Sequence, residues 1–134
     1  MHVRRLILPT LAVLGAFLPS VAKASFCTIA GESPQEIASE VVRSMDFKEI
    51  GSNARYVAYA NREALLTLTV TTPSNPAHPS VACRQARQDK NGSWTVVTNI
   101  RCGAPDDVCK SMVHEFDVLD EQMKREIEKS QGKP

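Results

Sequence analysis

The chain has 134 residues, 16 basic and 15 acidic side chains and four cysteines. That length is short enough for a single domain. The near-balanced charge, with no basic cluster large enough to track a phosphate backbone, argues against nucleic acid as a partner.

Residues 1–24 have the three parts of an export signal. Arg4 and Arg5 are followed by an apolar stretch from Leu6 to Leu18, and Ala22-Lys23-Ala24 offers small residues at both recognition positions. Cleavage is expected before Ser25. A retained anchor fits less well, because the apolar core falls short of the ~20 residues that span a bilayer and Pro9 and Pro19 interrupt it. Lipidation at Cys27 also fits poorly, since bulky Phe26 precedes it. Removal of 1–24 takes away Arg4, Arg5 and Lys23, leaving 13 basic against 15 acidic side chains. The expected location is periplasmic or secreted, with no membrane span after cleavage.

Residues 25–134 are expected to form a single α+β domain, becoming a polar tail from about residue 130. The first predicted element is a helix opened by Ser33-Pro34-Gln35-Glu36, which combines a cap, proline at the first helical position and a capping-box glutamate. Ile37, Ala38, Val41, Val42 and Met45 recur at helical spacing. The pattern predicts an end near Phe47 to Ile50, before Gly51-Ser52-Asn53.

The period then changes to two. Strands are predicted over Arg55–Ala60 and Ala64–Thr72; in the second, Leu66, Leu68 and Val70 alternate with Thr67, Thr69 and Thr71. The following Pro73–Pro79 segment contains three prolines and is expected to be an exposed, stiff loop carrying His78. A third strand over Val81–Gln88 and a fourth over Ser93–Arg101 flank Asp89-Lys90-Asn91-Gly92, where Asn91-Gly92 predicts a two-residue hairpin turn. Such a turn would set Cys83 opposite Ile100. A long helix from Pro105 to Lys129 closes the chain, with Cys109, Met112, Phe116, Leu119, Met123 and Ile127 on one stripe. Asp106 and Asp107 lie at its start and Lys124, Arg125 and Lys129 at its end, which complements the macrodipole. The predicted architecture is therefore an N-terminal helix, a four-stranded antiparallel meander and a C-terminal helix, with both helices on one sheet face.

Four cysteines in a short exported chain predict two disulfides. The expected pairs are Cys102–Cys109, brought together at the start of the last helix, and Cys27–Cys83; the two other pairings remain open at this point. No cysteine spacing suits a metal site, His114 and Asp117 share a helix face but read as a surface ion pair before a cation site, and no cofactor motif is present.

Helices on one face would leave the other open, bearing Thr67, Thr69, Thr71, Arg84, Gln88, Thr95, Asn99 and Arg101. Such a face, or an exposed sheet edge, could dock another envelope or secreted protein. The sequence therefore favours a non-enzymatic binding protein of the inhibitor, immunity or accessory-subunit type; oligomeric state is not encoded in any pattern found. A second reading is a small hydrolase or lyase using His78 or His114 with a nearby carboxylate. A third is a carrier of a small apolar ligand between sheet and helices.

Overall fold

The computed structural model describes Gly15 and residues 25–132; the signal segment expected over residues 1–24 lies, Gly15 apart, outside the described residues, as do Lys133 and Pro134. The order is β1 (Ser25–Phe26), β2 (Ile29–Ala30), α1 (Pro34–Arg43), β3 (Lys48–Ser52), β4 (Tyr56–Asn61), β5 (Leu66–Thr71), β6 (Ser80–Gln88), β7 (Trp94–Cys102) and α2 (Asp106–Ser130). β1 and β2 form a small hairpin, and the other five strands make an antiparallel meander in the order β3-β4-β5-β6-β7. The α+β class and disulfide bracing follow the sequence pattern, with the sheet gaining a fifth strand.

That fifth strand arises where helix was expected to continue. α1 starts as predicted: the Ser33 hydroxyl accepts the Glu36 N–H at 3.1 Å, and the Glu36 carboxylate accepts the Glu32 N–H at 2.8 Å. It stops at Arg43 because Ser44 turns out of helical conformation, and the Ser44 hydroxyl accepts the Asp46 N–H at 3.3 Å. Phe47 then enters the core. Met45, assigned by spacing to the apolar helix face, is instead 92% exposed. Asn53 closes the next hairpin, its side-chain oxygen accepting the N–H groups of Arg55 and Tyr56 at 2.8 and 2.9 Å.

The two helices lie on opposite faces of the sheet, which corrects the single-face expectation. One core joins Ile37 and Val41 of α1 and Phe26, Ile29 and Phe47 to Leu66, Leu68, Val81 and Cys83 of the sheet. The other joins Met112 and Phe116 of α2 to Ala77 and Ala82, with Tyr56, Ile100, Cys102 and Leu119 packed around them. Side chains alternate across a strand, so Val81 and Cys83 face α1 while Ala82 faces α2.

The cause is one residue in the β6–β7 turn. Gln88 pairs with Trp94, and the Asp89 N–H donates to Ser93 O at 2.9 Å, so the loop has three residues, ending on Gly92 at φ +82°. Cys83 therefore pairs with Asn99, not Ile100. A one-residue shift turns every β7 side chain to the other face. Trp94, Val96, Thr98 and Ile100 join the face that α2 covers, while Thr95, Val97, Asn99 and Arg101 join the α1 face.

Both disulfides form with the expected partners, Cys27–Cys83 and Cys102–Cys109, and no described cysteine is free. The loop before β6 is packed, not merely exposed: Asn75 and Ala77 are buried, and the Asn75 amide donates to Arg55 O at 3.1 Å while accepting the Ala77 N–H at 2.9 Å. Among the described residues, no helix is long and apolar enough to cross a membrane.

Candidate interaction surface

A five-stranded open sheet has two edges, and they differ in how they are protected. β3 is short, carries Lys48, and is interrupted by a bulge between Glu49 and Gly51. Those features discourage strand addition. β7 is longer and has no bulge, and its one charged residue, Arg101, stands next to its end. Its nine residues keep unbroken register with β6, and the run Trp94-Thr95-Val96-Val97-Thr98-Asn99-Ile100 contains no charge, proline or glycine.

The direction of its free hydrogen-bonding groups follows from the ladder's ends. Asp89 N–H donates to Ser93 O, and Gly103 N–H donates to Pro79 O at 2.8 Å. Antiparallel pairs alternate between bonded and non-bonded. The odd-numbered residues of β7 therefore bond to β6, and the backbone groups of Trp94, Val96, Thr98 and Ile100 point outward. No other described strand pairs with that edge.

Within β6 and β7 themselves the charge is of one sign. β6 and β7 contain Arg84, Arg87 and Arg101 and no aspartate or glutamate. Arg84 is the exception in being neutralised: on the α2 face its Nε lies 3.5 Å from Asp120 Oδ1, and the Thr98 hydroxyl donates to the other Asp120 oxygen. Burial raises the Asp120 carboxyl above its ordinary value despite Thr98 and Arg84, and lowers the Arg84 guanidinium despite Asp120. On both partners desolvation outweighs mutual attraction. The pair therefore orients α2 on the sheet without being a strong source of stability.

Arg87 and Arg101 lie on the α1 face. Arg101 stacks over Phe26, 4.8 Å from the ring centre, and donates to Gly31 O at 2.6 Å and Glu32 O at 3.1 Å. Arg87 is exposed, and its Nε donates to Gln85 Oε1 at 2.8 Å. Among the described residues neither meets a carboxylate within ion-pair distance. Beside Arg87 a cleft of about 180 Å³ runs along the Cys27–Cys83 disulfide, bordered also by Gln85, Val97 and Asn99, with no acidic side chain in its lining.

The residues expected on one open face are thus divided. Thr67, Thr69, Thr71 and Arg84 belong to the α2 face, where Thr69 and Thr71 are buried. The Thr71 hydroxyl accepts the Ser80 N–H at 2.8 Å and donates to Ser80 O at 3.1 Å, a structural role. Thr95 and Arg101 lie on the opposite face. The contiguous polar face is lost to the same register change that set α2 on its side of the sheet. What sequence reasoning underweighted was the edge itself, whose signal was the uncharged, β-branched run from Trp94 to Ile100.

Among the described residues, neither His78 nor His114 makes a hydrogen bond or ion pair with an acid. His78 is exposed, and its Nδ1 lies 3.0 Å from Thr71 O and 3.2 Å from Thr71 Oγ1, which ties the loop to β5. His114 is exposed on α2. A separate cluster holds Glu115 between Tyr56, whose hydroxyl donates at 3.2 Å, and Arg55 at 3.4 Å. Burial raises the Tyr56 phenol above its ordinary value. The cluster clamps β4 to α2 and leaves the phenol protonated at neutral pH. A cleft of about 520 Å³ beside β3 is lined by both signs of charge, including Lys48, Arg62, Glu49 and Glu63. Among the described residues, no group of three or more histidine, cysteine, aspartate or glutamate side chains could hold a metal ion.

Compared with family models, curated proteins and solved structures, the chain matches none.

Proposed function

We propose that this is an exported, non-enzymatic protein that binds an extended segment of another envelope or secreted protein along the outer edge of β7. The observation that carries the reading is the edge: nine residues in unbroken register, a seven-residue uncharged stretch, and outward backbone groups at alternate positions. An edge of this kind is a template for strand addition unless it is blunted, and here the opposite edge has the blunting devices. Main-chain hydrogen bonds would supply affinity, and the side chains of Thr95, Val97 and Asn99 would select among partners. Pairing of all four cysteines fits a compartment where thiols oxidise.

A proline at an outward position tests this without dismantling the fold. Val96→Pro removes a backbone donor that β6 does not use, and edge strands tolerate proline at such positions. A photo-cross-linking side chain at Thr95, in cells that export the protein, is expected to give one discrete protein adduct. That adduct should vanish in Val96→Pro while the melting temperature stays near wild type. Absence of an adduct, or its survival in the proline variant, would overturn the proposal.

A further inference from the structure

We infer that the strand β7 accepts is acidic on the side facing the Cys27–Cys83 disulfide, with one carboxylate near Arg87, an apolar side chain beside Val97 and a second carboxylate opposite Arg101. The inference rests on the β7-edge reading and specifies its partner.

The geometry follows from the register. Arg87 pairs with Thr95, so both lie on the α1 face at the start of β7. An added strand runs about 4.8 Å beyond β7, which puts its residue opposite Thr95 about 10 Å from the β6 backbone. An extended arginine reaching outward and an aspartate or glutamate reaching inward can close that gap across the small Thr95. At the other end Arg101 stands on β7 itself, directly opposite the added strand. Thr95 and Arg101 are six residues apart on one strand, or about 20 Å. Val97, 36% exposed, lies between them and offers the apolar contact.

Nothing within the described chain satisfies this charge. Glutamine, asparagine and threonine are the other polar neighbours along the cleft. Asp89, just past the end of β6, accepts the N–H groups of Asn91 and Ser93 on its Oδ1, both at 2.9 Å, and makes no ion pair with Arg87. Arg101 takes backbone carbonyls from Gly31 and Glu32 and stacks on Phe26, and among the described residues no carboxylate lies within ion-pair distance of it. A basic strand would meet two arginines, and like charges across an interface act against the wrong partner. The cleft along the disulfide is open beside these groups, so a side chain from the added strand can enter without displacing a core residue.

The test is selection of nine-residue peptides from a displayed random library on the mature, oxidised protein, followed by affinity measurement for the enriched sequences. Enrichment of Asp or Glu on one side of an alternating pattern is expected. Those peptides should bind Arg87→Glu about fivefold more weakly, the scale of one exposed charge pair, and should lose binding to Val96→Pro. Peptides enriched without acidic residues, indifferent to Arg87→Glu yet lost in Val96→Pro, would overturn the acidic specificity while leaving the edge reading intact. No enrichment, or binding that ignores Val96→Pro, would overturn both. Arg87 is exposed and holds only Gln85, so loss of folding does not confound the charge reversal.

Discussion

Thr28 is a β-branched residue at φ +66°, directly after Cys27 at φ +56°. Together they form the two-residue connection between Phe26 and Ile29, which pair across the small hairpin. Positive φ at both central positions belongs to the turn type that asparagine and glycine fill readily. For other L-residues that region costs roughly 1–2 kcal/mol each, because Cβ crowds the carbonyl. Cys27 cannot be changed without breaking a disulfide, but Thr28 can. Thr28→Gly should therefore stabilise the protein by about 1 kcal/mol, read as a higher denaturant midpoint at constant slope. Thr28→Val should not, since it keeps the branched carbon that causes the strain. An equal gain in both variants would show that the threonine hydroxyl, not the backbone, was the unfavourable group.

At the scale of elements, what needs explaining is how α2 is held. Its apolar stripe was legible, because Met112, Phe116 and Leu119 recur at helical spacing and pack on the sheet as that spacing implies. Which face they pack on was not legible, because it depends on whether a hairpin loop has two residues or three, and Asn91-Gly92 suits both. β3 was hidden for a different reason. Lys48-Glu49-Ile50-Gly51-Ser52 carries no period of its own, and only burial of Phe47 and pairing with β4 draw it into the sheet. β1 and β2 are too short for any periodic signal. The Arg84–Asp120–Thr98 cluster depends on the face chosen, so it too lay beyond sequence reasoning. Its energetics give a prediction. Asp120→Leu alone leaves a buried guanidinium unpaired and should destabilise by about 3–5 kcal/mol. Adding Arg84→Met and Thr98→Val should recover most of that loss, since an apolar set needs no desolvated charges. If the triple variant remains as unstable as the single one, the ion pair contributes far more than its burial suggests.

For the whole molecule, the two disulfides have unequal tasks. Cys102–Cys109 spans seven residues at the start of α2, and Cys27–Cys83 spans 56, tying the β1–β2 hairpin to the middle of β6. Loop-closure entropy alone assigns about 2.5 kcal/mol to the short link and about 4 kcal/mol to the long one. Local structure widens the gap. A hairpin of two-residue strands with a strained turn has little stability of its own. Without its tether it should release Phe26 and Ile29 from the core and remove the ring on which Arg101 stacks. α2 loses no comparable anchor when the short link is cut, because Met112 and Phe116 remain buried and Glu115 stays bonded to Tyr56 and Arg55. Replacing Cys27 and Cys83 together by alanine should therefore lower stability by at least about 4 kcal/mol. It should also expose the amides of β1 and β2 to rapid hydrogen exchange. Replacing Cys102 and Cys109 should lower stability by about 2.5 kcal/mol and leave exchange along most of α2 unchanged. Equal losses from the two replacements, or continued protection of the hairpin without its bridge, would mean that packing of Phe26 and Ile29 holds the N-terminal hairpin unaided.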